Sequence, residues 1–183
     1  MTYAALFRGI NVGGKNIVKM VELRQLLSGL GFRNVKTYIQ SGNAIFDSDD
    51  EAPKIKETIQ VAFQSAFQFE CAVILRTKEE IEAVIKSLPF SKTEMAEAAA
   101  ANSEVEHLYY YFSDNPPGRS MIRTIGAEYG GPDKLAVGAG GMYLLCHESI
   151  RDSKLAAALV KQNFSMTARN WKTLTKLSAM MET

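Results

Sequence analysis

The sequence predicts an α+β fold: two tandem βαββαβ units followed by a C-terminal helix. Three observations predict it. Short apolar runs of strand length alternate with apolar residues at helical spacing, in the order strand, helix, strand, strand, helix, strand, across residues 1–76. Turn-forming clusters, Ser41-Gly42-Asn43 and Gly138-Ala139-Gly140-Gly141, stand between the two central strands of each half. The same order recurs more loosely over residues 105–183, after a helix and connector at 77–104. Strands and helices in this order suit a sheet covered on one face, the ferredoxin-like plan. A chain of 183 residues with 46% hydrophobic and 22% charged residues is long enough to bury such cores without disulfide or metal support.

Taken in order, residues 3–8 form an apolar run ending at Arg8, and the turn-rich Gly9-Ile10-Asn11-Val12-Gly13-Gly14-Lys15-Asn16 follows. Leu23, Leu26, Leu27 and Leu30 share one face of a helix that Gly31 stops. Residues 35–40 and 44–47 read as a hairpin around Ser41-Gly42-Asn43. Pro53 suits the first turn of a helix whose inner face is Ile55, Ile59, Ala62, Phe63 and Ala66. Residues 71–76 make the fourth strand. Thr77-Lys78-Glu79-Glu80 has capping-box spacing and opens a helix with Ile81, Val84, Ile85 and Leu88 inward. Residues 91–104, with the Ala98 to Ala101 run, show no amphipathic period and are expected to be an exposed connector, either irregular or partly helical.

The second half places a strand at 107–112, a short helix at 119–127 and a hairpin from 134–137 to 142–146. Asp152 or Ser153 caps a helix carrying Leu155, Leu159 and Val160, and 164–166 is expected to be a short closing strand. Thr167 then caps a last helix with Trp171, Leu174, Leu177 and Met181 on one side. The halves share element order but no residue-level repeat is legible.

Several function classes recede on composition. No stretch approaches the roughly 20 apolar residues of a bilayer span, and residues 1–8 read as a strand rather than a signal peptide. A cytoplasmic protein with no membrane partner is expected. Cys71 and Cys146 are isolated in apolar runs, which fits two buried thiols, and the histidines, His107 and His147, are too few for a zinc site. No metal is expected. The net charge of +1 is uneven: +5 over residues 1–45, −7 over 46–106 and +3 over 107–183. That asymmetry is read either as a localised positive face or as scattered solvated charge.

The candidate site comes from cations near helix starts. Residues 9–15 fit Gly-x-x-x-x-Gly-Lys, but Asn16 stands where a phosphate-binding loop carries Ser or Thr, and the helical pattern begins only near Met20. A structural turn and a looser anion nest both remain open. Lys15 and Lys19 lie where a helix N-terminus is already electropositive, with Glu22 the one nearby acid. Arg169 is expected in the first turn of the last helix, sharing a face with Thr173 and Lys176. The candidate ligand-binding set is Arg8, Asn11, Gly13, Gly14, Lys15, Lys19, Gln40, Ser41, Asn43, Arg169, Asn170, Thr173 and Lys176. The tyrosines at 109–111 either pack beneath helices or offer a base-stacking surface.

Arg8-Gly9-Ile10-Asn11-Val12-Gly13-Gly14, Tyr38-Ile39-Gln40-Ser41-Gly42-Asn43 and Thr167-Ala168-Arg169-Asn170-Trp171, with Thr173, Lys176 and Leu177, resemble the signatures of domain-of-unknown-function family 1697. Ser153-Lys154-Leu155 is similar to a further short motif of that family. The resemblance implies an intracellular bacterial α+β protein and brings no reaction, substrate, cofactor or catalytic residue with it. Three functions follow as expectations: a binder of a phosphorylated small molecule or of nucleic acid, an enzyme on a small anionic metabolite, and a non-catalytic structural or interaction protein. Oligomeric state is not legible.

Overall fold

The computed structural model describes residues 1–162 and 164–182 of the chain. Eight strands and seven helices are formed by these residues, and the chain divides into two units, residues 1–82 with 176–183 and residues 83–175.

In the first unit β1 (Thr2–Phe7), α1 (Met20–Gly29), β2 (Arg33–Tyr38), β3 (Asn43–Asp47), α2 (Ala52–Phe67) and β4 (Val73–Thr77) follow one another. The antiparallel sheet has the order β2-β3-β1-β4. Strand side chains alternate between faces. Tyr3, Ala5 and Phe7 therefore join Ala44, Phe46, Val73 and Leu75 against Leu23 and Leu27 of α1 and Ile55, Ile59 and Phe63 of α2. Phenylalanines fill this core: the Phe32 and Phe46 rings stack at 4.4 Å, and Phe7 meets Phe63 at 5.5 Å. The opposite-face residues Ala4, Leu6, Ile45 and Ile74 are buried too. Gly31 ends α1 at φ 87°, and its N–H bonds to the Ser28 carbonyl.

The second unit repeats the plan. β5 (Leu108–Ser113), α5 (Arg119–Tyr129), β6 (Lys134–Gly138), β7 (Gly141–Leu145), α6 (Lys154–Lys161) and β8 (Met166–Asn170) give a sheet ordered β6-β7-β5-β8. Tyr111, Met142, Leu144 and Met166 pack under Ile122 and Ile125 of α5 and Leu155 and Leu159 of α6. α3 (Lys78–Lys86) and α4 (Lys92–Ala101) precede this sheet, and α7 (Trp171–Met180) follows it. The division into units falls within α3 and within α7. On the sheet's other face, Leu108 and Leu145 cluster with Ala98, Met95, Phe90 and Trp171. Tyr110 is fully buried and Tyr111 nearly so, so this tyrosine run is core rather than an open stacking surface.

Four local expectations change or sharpen. Residues 91–104 are mostly exposed, and the helical part of this connector spans Lys92–Ala101: Ser91 and Glu94 form a capping box, and an Ala-rich helix follows. Its amphipathic signal is weak because Ala98 is its one buried residue. The closing strand lies at Met166–Asn170 rather than 164–166, because Thr167, Ala168 and Arg169 pair with Phe112, Tyr111 and Tyr110 of β5. β2 and β4 are displaced by one or two residues from the expected 35–40 and 71–76, within the usual uncertainty of strand ends. Finally, the sheet register exposes the repeat that the residues alone conceal. Arg76 pairs with Ala4 in β1, and Arg169 with Tyr110 in β5, the same position in each sheet. Each arginine is buried and folds a guanidinium N–H back onto the preceding carbonyl, Leu75 at 2.6 Å and Ala168 at 2.8 Å. Each is followed by a helix cap. Thr77 shares a capping box with Glu80, and Asn170 Oδ1 accepts the Thr173 N–H at 2.8 Å.

Candidate functional site

The loop after β1 is shaped by residues that tolerate the left-handed region. Gly9, Asn11, Gly13, Gly14 and Asn16 all have positive φ. Lys15 N–H bonds to the Val12 carbonyl and Asn11 N–H to the Asn16 carbonyl, both at 3.0 Å. With φ positive at both Gly13 and Gly14, residues 12–15 make a miniature hairpin tip. This is not a phosphate loop running into a helix: α1 begins five residues after Lys15, at Met20. Lys19 is the N-cap residue and gives no side-chain cap. Its ammonium instead lies 3.5 Å from Glu22, an exposed pair one helical turn apart. The acid that the sequence offered for this position does take it.

Asn11 joins this loop to the β2–β3 turn. Its amide donates to the Val18 carbonyl at 2.9 Å and the Gln40 carbonyl at 2.8 Å, while its oxygen accepts the Val18 N–H at 2.8 Å. Gly42 completes the seam: Phe7 N–H bonds to its carbonyl, and a Cβ there would stand 2.7 Å from Ile10 Cδ1. Asn43 is fully buried, and its amide holds the Tyr38 carbonyl and the Ser41 hydroxyl. Asn11, Ser41 and Asn43 thus serve the turn itself. Arg8, Lys15 and the Gln40 side chain point outward, and Arg8 and Lys15 have no side-chain partner among the described residues. Around them lie exposed apolar side chains: Val12 at 64%, Ile17 at 62% and Ile39 at 49% exposure. Ile39 also holds φ 47°, a conformation that a β-branched residue adopts only under strain.

The C-terminal segment differs from its expected form. Arg169 is a strand residue, not a first-turn helix residue, so it does not share a helix face with Thr173 and Lys176. It is 6% exposed and donates to Thr167 Oγ1 at 2.7 Å, and Thr167 is a strand residue rather than the cap. Asn170 is the cap of α7, Thr173 is buried, and Lys176 is exposed on α7 in the part assigned to the first unit.

A cavity of about 280 Å³ in the second unit escaped the sequence reading. Asp133 braces it, accepting the His147 N–H at 2.8 Å and the Ser153 hydroxyl at 2.5 Å, and Ser153 Oγ caps α6 through the Ala156 N–H. His147 and Lys154 line it. The residues that build it lie at 129–133 and 147–154, too far apart in sequence to signal a site. Burial pushes the Cys146 thiol up to about 12, and Cys71 and Cys146 are both buried thiols. Among the described residues no group of three or more His, Cys, Asp or Glu is placed to hold a metal, and no helix is long and apolar enough to cross a membrane.

Residues 1–143 match the family described as protein of unknown function DUF1697. The chain belongs to that family. The matched span holds the hairpin-tip loop and the β2–β3 turn of this DUF1697 chain and ends within β7. A solved structure, that of a conserved bacterial protein from Streptococcus pneumoniae, is similar at 30% identity and a TM-score of 0.78. It covers 100% of this chain and 98% of its own. No curated protein matches the DUF1697 chain.

Proposed function

We propose that this DUF1697 protein, as two tandem ferredoxin-like units, binds a phosphate-bearing ligand, nucleic acid foremost, through the loop of residues 8–19 and the turn of residues 38–43. Sheet orders β2-β3-β1-β4 and β6-β7-β5-β8 support the fold reading, since both follow from βαββαβ connection. The observation that carries the functional reading is the Asn11 clamp. It fixes two turns as one surface, on which Arg8 and Lys15 stand exposed beside Val12, Ile17 and the strained Ile39. Cations on a braced backbone meet phosphates with little ordering cost, and exposed aliphatic side chains offer contact to sugars and bases. Strain at an exposed position is retained more often for binding than for stability. The Arg169 segment is left out of this surface, because its guanidinium serves its own sheet.

Fluorescence anisotropy with single-stranded RNA and duplex DNA tests the proposal. Binding is expected at low salt, with log affinity falling against log salt by about 0.7–0.9 per phosphate contacted. Lys15→Glu should weaken it on the order of tenfold. If neither polymer is retained at low salt, the nucleic-acid reading is lost. Thermal shifts with nucleotides and sugar phosphates then decide whether a small phosphorylated ligand takes its place.

A further inference from the structure

Each sheet ends in an edge strand reached by its first helix, β2 in one unit and β6 in the other. An edge strand presents unpaired backbone groups, and proteins that stay monomeric guard it with bulges, charges or twists. β2 is guarded. Its register slips between Arg33 and Lys36, and Asn34 sits at φ 53° with its amide on Asp47. Arg33 grips Asp49 through two 2.8 Å bonds. β6 has none of this. It pairs with β7 through five consecutive residues without a slip, from Lys134↔Leu145 to Gly138↔Gly141. Its one charge, Lys134, is already matched by Glu94 at 2.8 Å. The remaining residues are Leu135, Ala136, Val137 and Gly138, with Val137 37% exposed.

We infer that β6 is a self-association edge, which pairs antiparallel with β6 of a second copy of this chain. The strand is self-complementary. A two-fold axis through Ala136 sets Leu135 against Val137 and Lys134 against Gly138, so no like charges face each other. Antiparallel pairing continues the sheet already formed, and closed two-fold dimers are the commonest assembly of soluble chains. A charged partner peptide finds no complement here, because the only charge of the strand is neutralised within its own unit.

The test exploits the axis. Sedimentation equilibrium of the full chain over a concentration series should show twice the single-chain mass at the upper end. Ala136→Lys and Ala136→Glu should each weaken the dimer on the order of tenfold or more, since each puts like charges directly opposite. Mixing the two variants should restore it, Lys against Glu. A wild-type chain that stays monomeric throughout overturns the inference, as does a dimer indifferent to both substitutions. If the variants fail to fold, hydrogen exchange on the wild type decides. The β6 amides that point away from β7 should gain protection with concentration, and unchanged exchange there overturns the inference.

Discussion

At matching positions of the two sheets, the faces turned away from α1 and α2 and from α5 and α6 are filled in opposite ways. The first unit uses small and aliphatic side chains, Ala4 and Ile45, where the second uses Tyr110 and Tyr143. The volume is returned at the neighbouring pair. Tyr38 and Asn43 face each other at the end of the first hairpin, Gly138 and Gly141 at the end of the second. A Cβ on Gly138 would stand 2.6 Å from the Tyr110 ring, and one on Gly141 only 1.9 Å from the Tyr111 carbonyl. The rings meet at 4.7 Å, their hydroxyls bonded to the carbonyls of Ala139 and Val84. Register is the property shared by the units, and side-chain volume moves around within it.

The largest expected effect tests that exchange. Gly141→Val forces a branched side chain against backbone, where no rotamer relieves it, and should cost about 4 kcal/mol or more. Asn43→Ala, at the same register in the first unit, removes one buried amide and should cost about 1–3 kcal/mol. Urea unfolding monitored by circular dichroism measures both. A Gly141→Val chain less than about 1 kcal/mol down would show that the rings are not held against that backbone, and the contrast would fail.

The same contrast explains what the sequence disclosed. Periodicity found nearly every element, because Leu23 and Leu27, or Ile55, Ile59 and Phe63, repeat at helical spacing. It found the duplication through element order alone, without a residue-level repeat, since Ala4 and Tyr110, or Asn43 and Gly141, share a position without sharing chemistry. The α4 helix is only partly legible because its alanines favour a helix but mark no face. In the candidate site, the link between residue 11 and residues 38–43 was not legible, because Asn11 works through backbone carbonyls far along the chain. Thr167-Ala168-Arg169-Asn170 read as a helix start because Thr and Asn both cap helices. Only strand pairing decides that Asn170 is the cap.

The arginines sharpen the comparison at intermediate size. Arg76 and Arg169 are both buried and both folded back onto the strand carbonyl before them. If the shared register carries a shared role, Arg76→Ala and Arg169→Ala should each cost about 2–4 kcal/mol, by cavity formation and by stripping hydrogen bonds from buried acceptors. Thr167 Oγ1 is one such acceptor in the second unit. Melting curves of both variants, with and without the RNA and DNA probes, separate this from a ligand role. A ligand-holding arginine would lose probe binding at unchanged stability. Equal losses of stability support the shared role, and a neutral Arg169→Ala removes it.

The smallest effect compares the two capping boxes. Glu80 accepts the Thr77 N–H at 2.8 Å and Glu94 accepts the Ser91 N–H at 2.7 Å, but among the described residues only Glu94 of the two also meets a lysine, Lys134, at 2.8 Å. Lys134 and the Ser91 backbone N–H together hold the Glu94 carboxyl down from 4.5 to about 2. A carboxyl that is more acidic in the folded chain stabilises it fully above pH 4.5, and this contribution is lost as the pH falls towards 2. The group is exposed, so salt should weaken the effect. Glu94→Gln keeps an oxygen for the cap but has no proton to gain. Urea midpoints followed from neutral to acid pH should therefore converge for wild type and Glu94→Gln as the pH drops, with the wild type higher at neutrality. Parallel curves would mean that Lys134 leaves Glu94 no different from an ordinary cap, and that the boxes of the two units are energetically the same.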